Sequence, residues 1–170
     1  MEIRKVCVVG MGTMGSQIGI VCAKAGFQTA MVEASSDRVE EGFKRIHSFL
    51  KTQLKKGKID QETNETILSL ITTHTDLKEA ASSADLVIEA VYEDMKIKKE
   101  VFRKLDRNCP QHTILCSNTS TLWISEIASA TGRPEKCIGT HFLIPAALTP
   151  LVEVVRGIQT SDETHEMVVS

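Results

Sequence analysis

Val6-Cys7-Val8-Val9-Gly10-Met11-Gly12-Thr13-Met14-Gly15 is an apolar run opening directly into a glycine-rich turn, and its reading decides the fold. The four leading residues suit a buried strand, and Met14 to Ala25 carries a helix pattern. Each glycine between them has a physical task. Gly10 permits a tight turn out of the strand, Gly12 leaves room for a pyrophosphate against the backbone, and Gly15 lets the helix sit close to the sheet. The phosphates then meet unpaired N–H groups at the positive end of a helix dipole, so no lysine is required. Gly10, Gly12, Thr13, Met14 and Gly15 are therefore the residues expected to hold a dinucleotide.

Working outward, Gly26 reads as a helix stop and Thr29-Ala30-Met31-Val32 as a second strand, ending at Glu33. A carboxylate roughly 20 residues beyond the turn accepts hydrogen bonds from the adenine ribose hydroxyls and repels a 2′-phosphate. Ala34, Ser35 and Ser36 offer no cation to neutralise such a phosphate, so the expected cofactor is NAD rather than NADP. Arg38 is the one nearby feature that points the other way.

Helix and strand then alternate. A long amphipathic stretch covers Asp37 to Lys56, and a shorter helix runs over Glu62 to Leu70 into Ile71-Thr72-Thr73. The run Leu86 to Val91 is β-type, Met95 to Arg107 is a charged helix, and Thr113 to Cys116 is a strand. A helix near Ile124 to Ala130 precedes the strands Cys137 to Thr140 and Leu151 to Val155. Right-handed crossovers make this an α/β, Rossmann-type, doubly wound and mostly parallel sheet with helices on both faces. The 170 residues make one domain of ordinary size. A helix opening near Asp162 ordinarily feeds another strand, and a pocket beside a nicotinamide needs a second wall. The expectation is thus a domain cut short before its final strand.

Composition removes whole classes of partner. A net charge of −2 gives no electrostatic reason to expect nucleic acid or an anionic membrane, and 4% aromatic content argues against base-stacking surfaces. The five cysteines form no CxxC pair, and Cys7 and Cys116 lie in apolar runs, which points to a reducing compartment. With the first strand so close to Met1 and no apolar run of membrane-spanning length, the expected location is the cytoplasm. His47, His74, His112 and His165 have no partners at ligand spacing, so no metal is expected. Trp123 and Tyr92 are expected to pack near the cofactor edge.

Chemistry concentrates where strands end. Ser117-Asn118-Thr119-Ser120-Thr121 and His141 both fall at the carboxyl edge of the expected sheet, where ligands bind. Glu153 follows twelve residues after His141, and a reversal through Pro145 and Pro150 returns its carboxylate to the imidazole. Such a pair fixes the tautomer that a general base needs. On spacing alone these residues also fit blander roles, with Thr119 or Ser120 capping the helix near Ile124.

Gly10 to Gly15, Glu33, Asp85 to Glu93, Ser117 to Ser120, Gly139-Thr140-His141-Phe142 and Leu151 to Val154 together closely resemble the NAD-binding domain of the L-3-hydroxyacyl-CoA dehydrogenase family. The resemblance covers essentially the whole chain. It implies oxidation of a 3-hydroxyacyl-CoA to the 3-ketoacyl-CoA, with hydride passing to NAD. By position it implies His141 as general base, Glu153 as the carboxylate that orients it, and Ser120 hydrogen-bonding near the substrate oxygen and the nicotinamide ribose. Glu93 and Lys98 match positions on the cofactor's nicotinamide side, and Lys56 matches a lysine that meets the CoA phosphates.

The resemblance also departs in two places. The family usually reads Phe-Phe-Asn-Pro where this chain has Phe142-Leu143-Ile144-Pro145, so an aliphatic side chain replaces the amide at the nicotinamide end. The family's helical domain, which closes the acyl pocket and forms most of the dimer interface, is not in this sequence. Partners implied are an acyl-CoA substrate and either a second copy or the absent helical domain. Two rivals stand beside this reading: a dehydrogenase of a smaller hydroxy acid, and a non-catalytic NAD-binding module.

Overall fold

The computed structural model describes residues 2–170. Seven strands form one sheet: β1 (Lys5–Val9), β2 (Gln28–Val32), β3 (Ile71–His74), β4 (Leu86–Glu89), β5 (Ile114–Ser117), β6 (Cys137–Phe142) and β7 (Val152–Arg156). Their order across the sheet is β3-β2-β1-β4-β5-β6-β7. All neighbours are parallel except β6 and β7, which run antiparallel. The order reverses beside β1, whose neighbours are β2 and β4, so a crevice opens there at the carboxyl ends.

The connections are α1 (Thr13–Lys24), α2 (Ser36–Lys55), α3 (Gln61–Ser69), α4 (Leu77–Ala81), α5 (Met95–Asn108), α6 (Ile124–Ala128) and α7 (Asp162–Val169). Strand alternation divides the core into two layers. Val6, Val8, Met31, Ile88, Cys116 and Ile138 pack against Ile18, Ile46 and Ile67 of α1, α2 and α3. Cys7, Val87, Leu115 and Cys137 face the other way, against Ala80, Phe102, Leu105 and Ile127 of α4, α5 and α6. All five cysteines are buried, and burial pushes the Cys22 thiol up to about 12.

The expected doubly wound sheet is present. The short α4 was not expected. Among the described residues no helix is long and apolar enough to cross a membrane.

Candidate active site at the carboxyl edge

The turn after β1 is built by backbone constraint. Gly10 has φ +99°, and its N–H donates to the Val32 carbonyl at 2.9 Å, tying the ends of β1 and β2 together. A side chain on Gly15 would place its Cβ 1.8 Å from the Gly10 carbonyl oxygen, so α1 can sit this close only with glycine there. Gly12 is different: a Cβ on it would meet nothing within 4 Å. It is the N-cap of α1 and supplies no side-chain cap, whereas Ser35, Asp60, Asp76 and Asp94 cap the helices after them. Thr13 is exposed and Met14 half-buried beside this open space. Uncapped N–H groups beside this open space suit a pyrophosphate.

Glu33 directly follows β2 and has both oxygens held. One accepts from Met11 N–H at 3.2 Å and the other from Ala34 N–H at 2.7 Å. Its carboxylate is thus fixed against the glycine turn, where ribose hydroxyls would meet it. The Arg38 guanidinium lies 3.9 Å from Glu33 and is largely exposed. These residues fit NAD.

A second group assembles at the ends of β5, β6 and β7. His141 and Glu153 are direct cross-strand partners in the antiparallel β6–β7 register, and His141 Nδ1 lies 2.7 Å from Glu153 Oε2. On the other side of the ring, Nε2 is 3.0 Å from Ser120 Oγ. The expected reversal through the proline-containing loop brings Glu153 to one side of the ring, and the loop after β5 brings Ser120 to the other. Asn118 Oδ1 accepts from Phe142 N–H at 2.9 Å, locking the loop after β5 to the end of β6. A cavity of about 380 Å³ opens here, lined by Met14, Glu93, Asn118, Ser120, His141 and Ile144 among others. Met14 belongs to the glycine turn, so the two groups share one crevice.

Glu93 organises the loop that carries Ser120. It accepts hydrogen bonds from the Thr119 hydroxyl, from Ser120 N–H at 3.1 Å and from the Thr121 hydroxyl at 3.3 Å. Burial works against its charge, yet the Thr119 hydroxyl and the Lys98 ammonium hold its carboxyl below the usual carboxylate range. Lys98, expected on the cofactor side, is fully buried on α5 and absent from the cavity wall; its Nζ reaches the site through Glu93 at 3.2 Å. The other carboxylate beside Lys98 is Glu89, also fully buried, at 2.7 Å, and the Val91 carbonyl accepts from Nζ at 3.5 Å. Glu89 was not singled out from sequence. The available signal was a carboxylate inside the apolar run Leu86 to Val91.

Two other expectations need correction. Trp123 and Tyr92 do not pack at the cofactor edge but stand 78% and 79% exposed. Trp123 is itself the N-cap of α6, so Thr119 does not cap that helix; its hydroxyl accepts from Leu122 N–H at 3.0 Å, one turn earlier. Lys56, at the C-cap of α2, is exposed and not part of either group. Ile144 is exposed on the rim of the cavity.

Comparison with known proteins gives the same fold and chemistry a family. Residues 5–170 match the family described as 3-hydroxyacyl-CoA dehydrogenase, NAD binding domain. The chain is 45% identical over 164 residues to a probable 3-hydroxybutyryl-CoA dehydrogenase of Bacillus subtilis, covering 96% of this chain and 57% of that protein. It is 39% identical to the mitochondrial hydroxyacyl-coenzyme A dehydrogenase of Mus musculus, covering 98% of this chain and 55% of that one. The crystal structure of (S)-3-hydroxybutyryl-CoA dehydrogenase from Ralstonia eutropha superposes with a TM-score of 0.95 at 36% identity, over 98% of this chain and 59% of that one. The chain thus spans a little over half the length of these relatives. With its glycine turn, its fixed Glu33 and its topology, the chain belongs to the 3-hydroxyacyl-CoA dehydrogenase family and carries that family's NAD-binding domain.

Proposed function

We propose that this chain is the cofactor-binding and proton-accepting half of a dehydrogenase that converts L-3-hydroxyacyl-CoA to 3-ketoacyl-CoA. The observation that carries the reading is the line Ser120–His141–Glu153 opening into the same cavity as Met14 of the glycine turn. With Nδ1–H donating to Glu153, the Nε2 of His141 is the free acceptor, and it takes the hydroxyl proton of the substrate as the carbon–oxygen double bond forms. Ser120 Oγ, which reaches Nε2 in the structure, exchanges that contact for the substrate oxygen and holds it beside the base. NAD, held by the glycine turn and Glu33, supplies the acceptor for the hydride released from the same carbon. Lys56, exposed at the end of α2, is the residue for the CoA phosphates, and a helical domain supplies the second wall of the acyl pocket.

Ile144 favours a second reading of the substrate. An aliphatic side chain on the cavity rim brings no hydrogen bond, which leaves a smaller hydroxy acid as the alternative. The test uses the chain with the helical domain of a relative supplied separately. NADH is expected to bind in preference to NADPH by nicotinamide fluorescence, and 3-hydroxybutyryl-CoA is expected to be oxidised. Activity lost in His141→Gln supports the dehydrogenase. Failure to oxidise any hydroxyacyl-CoA with the second domain present, while NADH still binds, marks a binding module instead.

A further inference from the structure

We infer that Glu89 is a positioning residue for this site: buried below the cavity and out of reach of substrate, it sets the place of Glu93 by way of Lys98. The inference rests on the proposed reading of the cavity as the nicotinamide and substrate site.

Both oxygens of Glu89 are held by donors. One oxygen accepts from Val91 N–H at 2.8 Å and from Lys98 Nζ at 2.7 Å, and the other from the Ser117 hydroxyl at 2.7 Å. Both Glu89 and Lys98 are 0% exposed, so neither charge has water to turn to. The ammonium is therefore anchored on Glu89, and it meets the second carboxylate, Glu93, from that fixed point at 3.2 Å. Glu93 is the only one of the three on the cavity wall. Its remaining oxygen gathers Thr119, Ser120 and Thr121, which sets Ser120 Oγ at 3.0 Å from His141.

Stability alone does not account for this arrangement. A buried ion pair contributes little net stability compared with apolar side chains of the same volume. What the pair does supply is a cation whose location is decided below the site. Two carboxylates share one ammonium, and it sits closer to the fully buried one, 2.7 Å from Glu89 against 3.2 Å from the partly exposed Glu93. Without the Glu89 charge, the ammonium moves toward Glu93 and pulls that carboxylate out of register with the Ser120 N–H.

The experiment is a double-mutant cycle between Glu89→Gln and Glu93→Gln in this chain, reading NADH affinity by nicotinamide fluorescence. Glu89→Gln is expected to weaken NADH about tenfold in the wild-type background and less than about twofold beside Glu93→Gln. The backbone amide signals of Ser120 and Thr121 should move in Glu89→Gln as well. The same loss of affinity in both backgrounds, or none in either, overturns the inference, because a merely structural Glu89 would not act through Glu93. Ser117→Ala removes one donor to Glu89 without stranding a buried charge, and the same cycle run with it decides the question where Glu89→Gln fails to fold. Turnover that survives His141→Gln would overturn the catalytic reading and leave this cycle standing.

Discussion

Gly12 and Gly15 look alike in the sequence and differ in what surrounds them. At Gly15 the obstacle is inside the protein, a carbonyl oxygen 1.8 Å from where a Cβ would stand. At Gly12 the space is open and the backbone, with φ −68° and ψ −165°, suits any residue. Gly15→Ala is therefore expected to lose most of its folded population, seen as a collapse of the thermal transition. Gly12→Ala is expected to melt close to the wild type yet bind NADH at least about tenfold more weakly, because its methyl group stands where the pyrophosphate approaches. Glu33 was expected as a ribose ligand from its distance along the chain, whereas the two N–H groups that aim its carboxylate come from Met11 and Ala34 and appear only in the fold.

The helices α1, α2, α3 and α5 lie within a residue or so of where their patterns begin and end, the five-residue α6 starts where it was expected, and α4, of the same length, was missed. Pairing is another matter, since the sequence gives no register. His141 and Glu153 meet because β7 returns antiparallel with those two residues opposed; a slip of one residue would turn Glu153 to the other face. Caps are set locally, and α5 has a strong one. Asp94 accepts from Lys96 N–H at 2.9 Å and Ile97 N–H at 3.0 Å. Asp94→Ala should cost about 1 kcal/mol, measured as a lower midpoint in urea with an unchanged slope.

Across the whole molecule, Asp85 and Glu93 are the partly buried carboxylates held below their usual range, and they tie stability to pH. Burial opposes the charge of Asp85, but the N–H groups of Arg4 and Lys5, each at 2.9 Å, and His112 outweigh it and lower its pKa. Glu93 is lowered in the same direction. Both contributions are complete above the unfolded carboxylate values of about 4 and are lost as pH falls through the lower folded values. The melting temperature is expected to hold between about pH 7 and 5 and to fall below about pH 4, less steeply in Asp85→Asn. At the same scale, the exposed Trp123, Ile144 and Ile158 show how much apolar surface this domain turns outward.

By itself the sequence determined the class of fold, the cofactor and the residue types of the site. Glycine spacing, apolar periodicity and a carboxylate after the second strand are local quantities, and they follow from steric and dipole rules that act over a few residues. Only the tertiary structure decided that Lys98 lies beneath the cavity and not on its wall, that Glu89 anchors it, and that Ser120, His141 and Glu153 fall in one line. Those facts depend on strand register and burial. Both are settled by contacts between segments far apart in the chain, which no local pattern encodes.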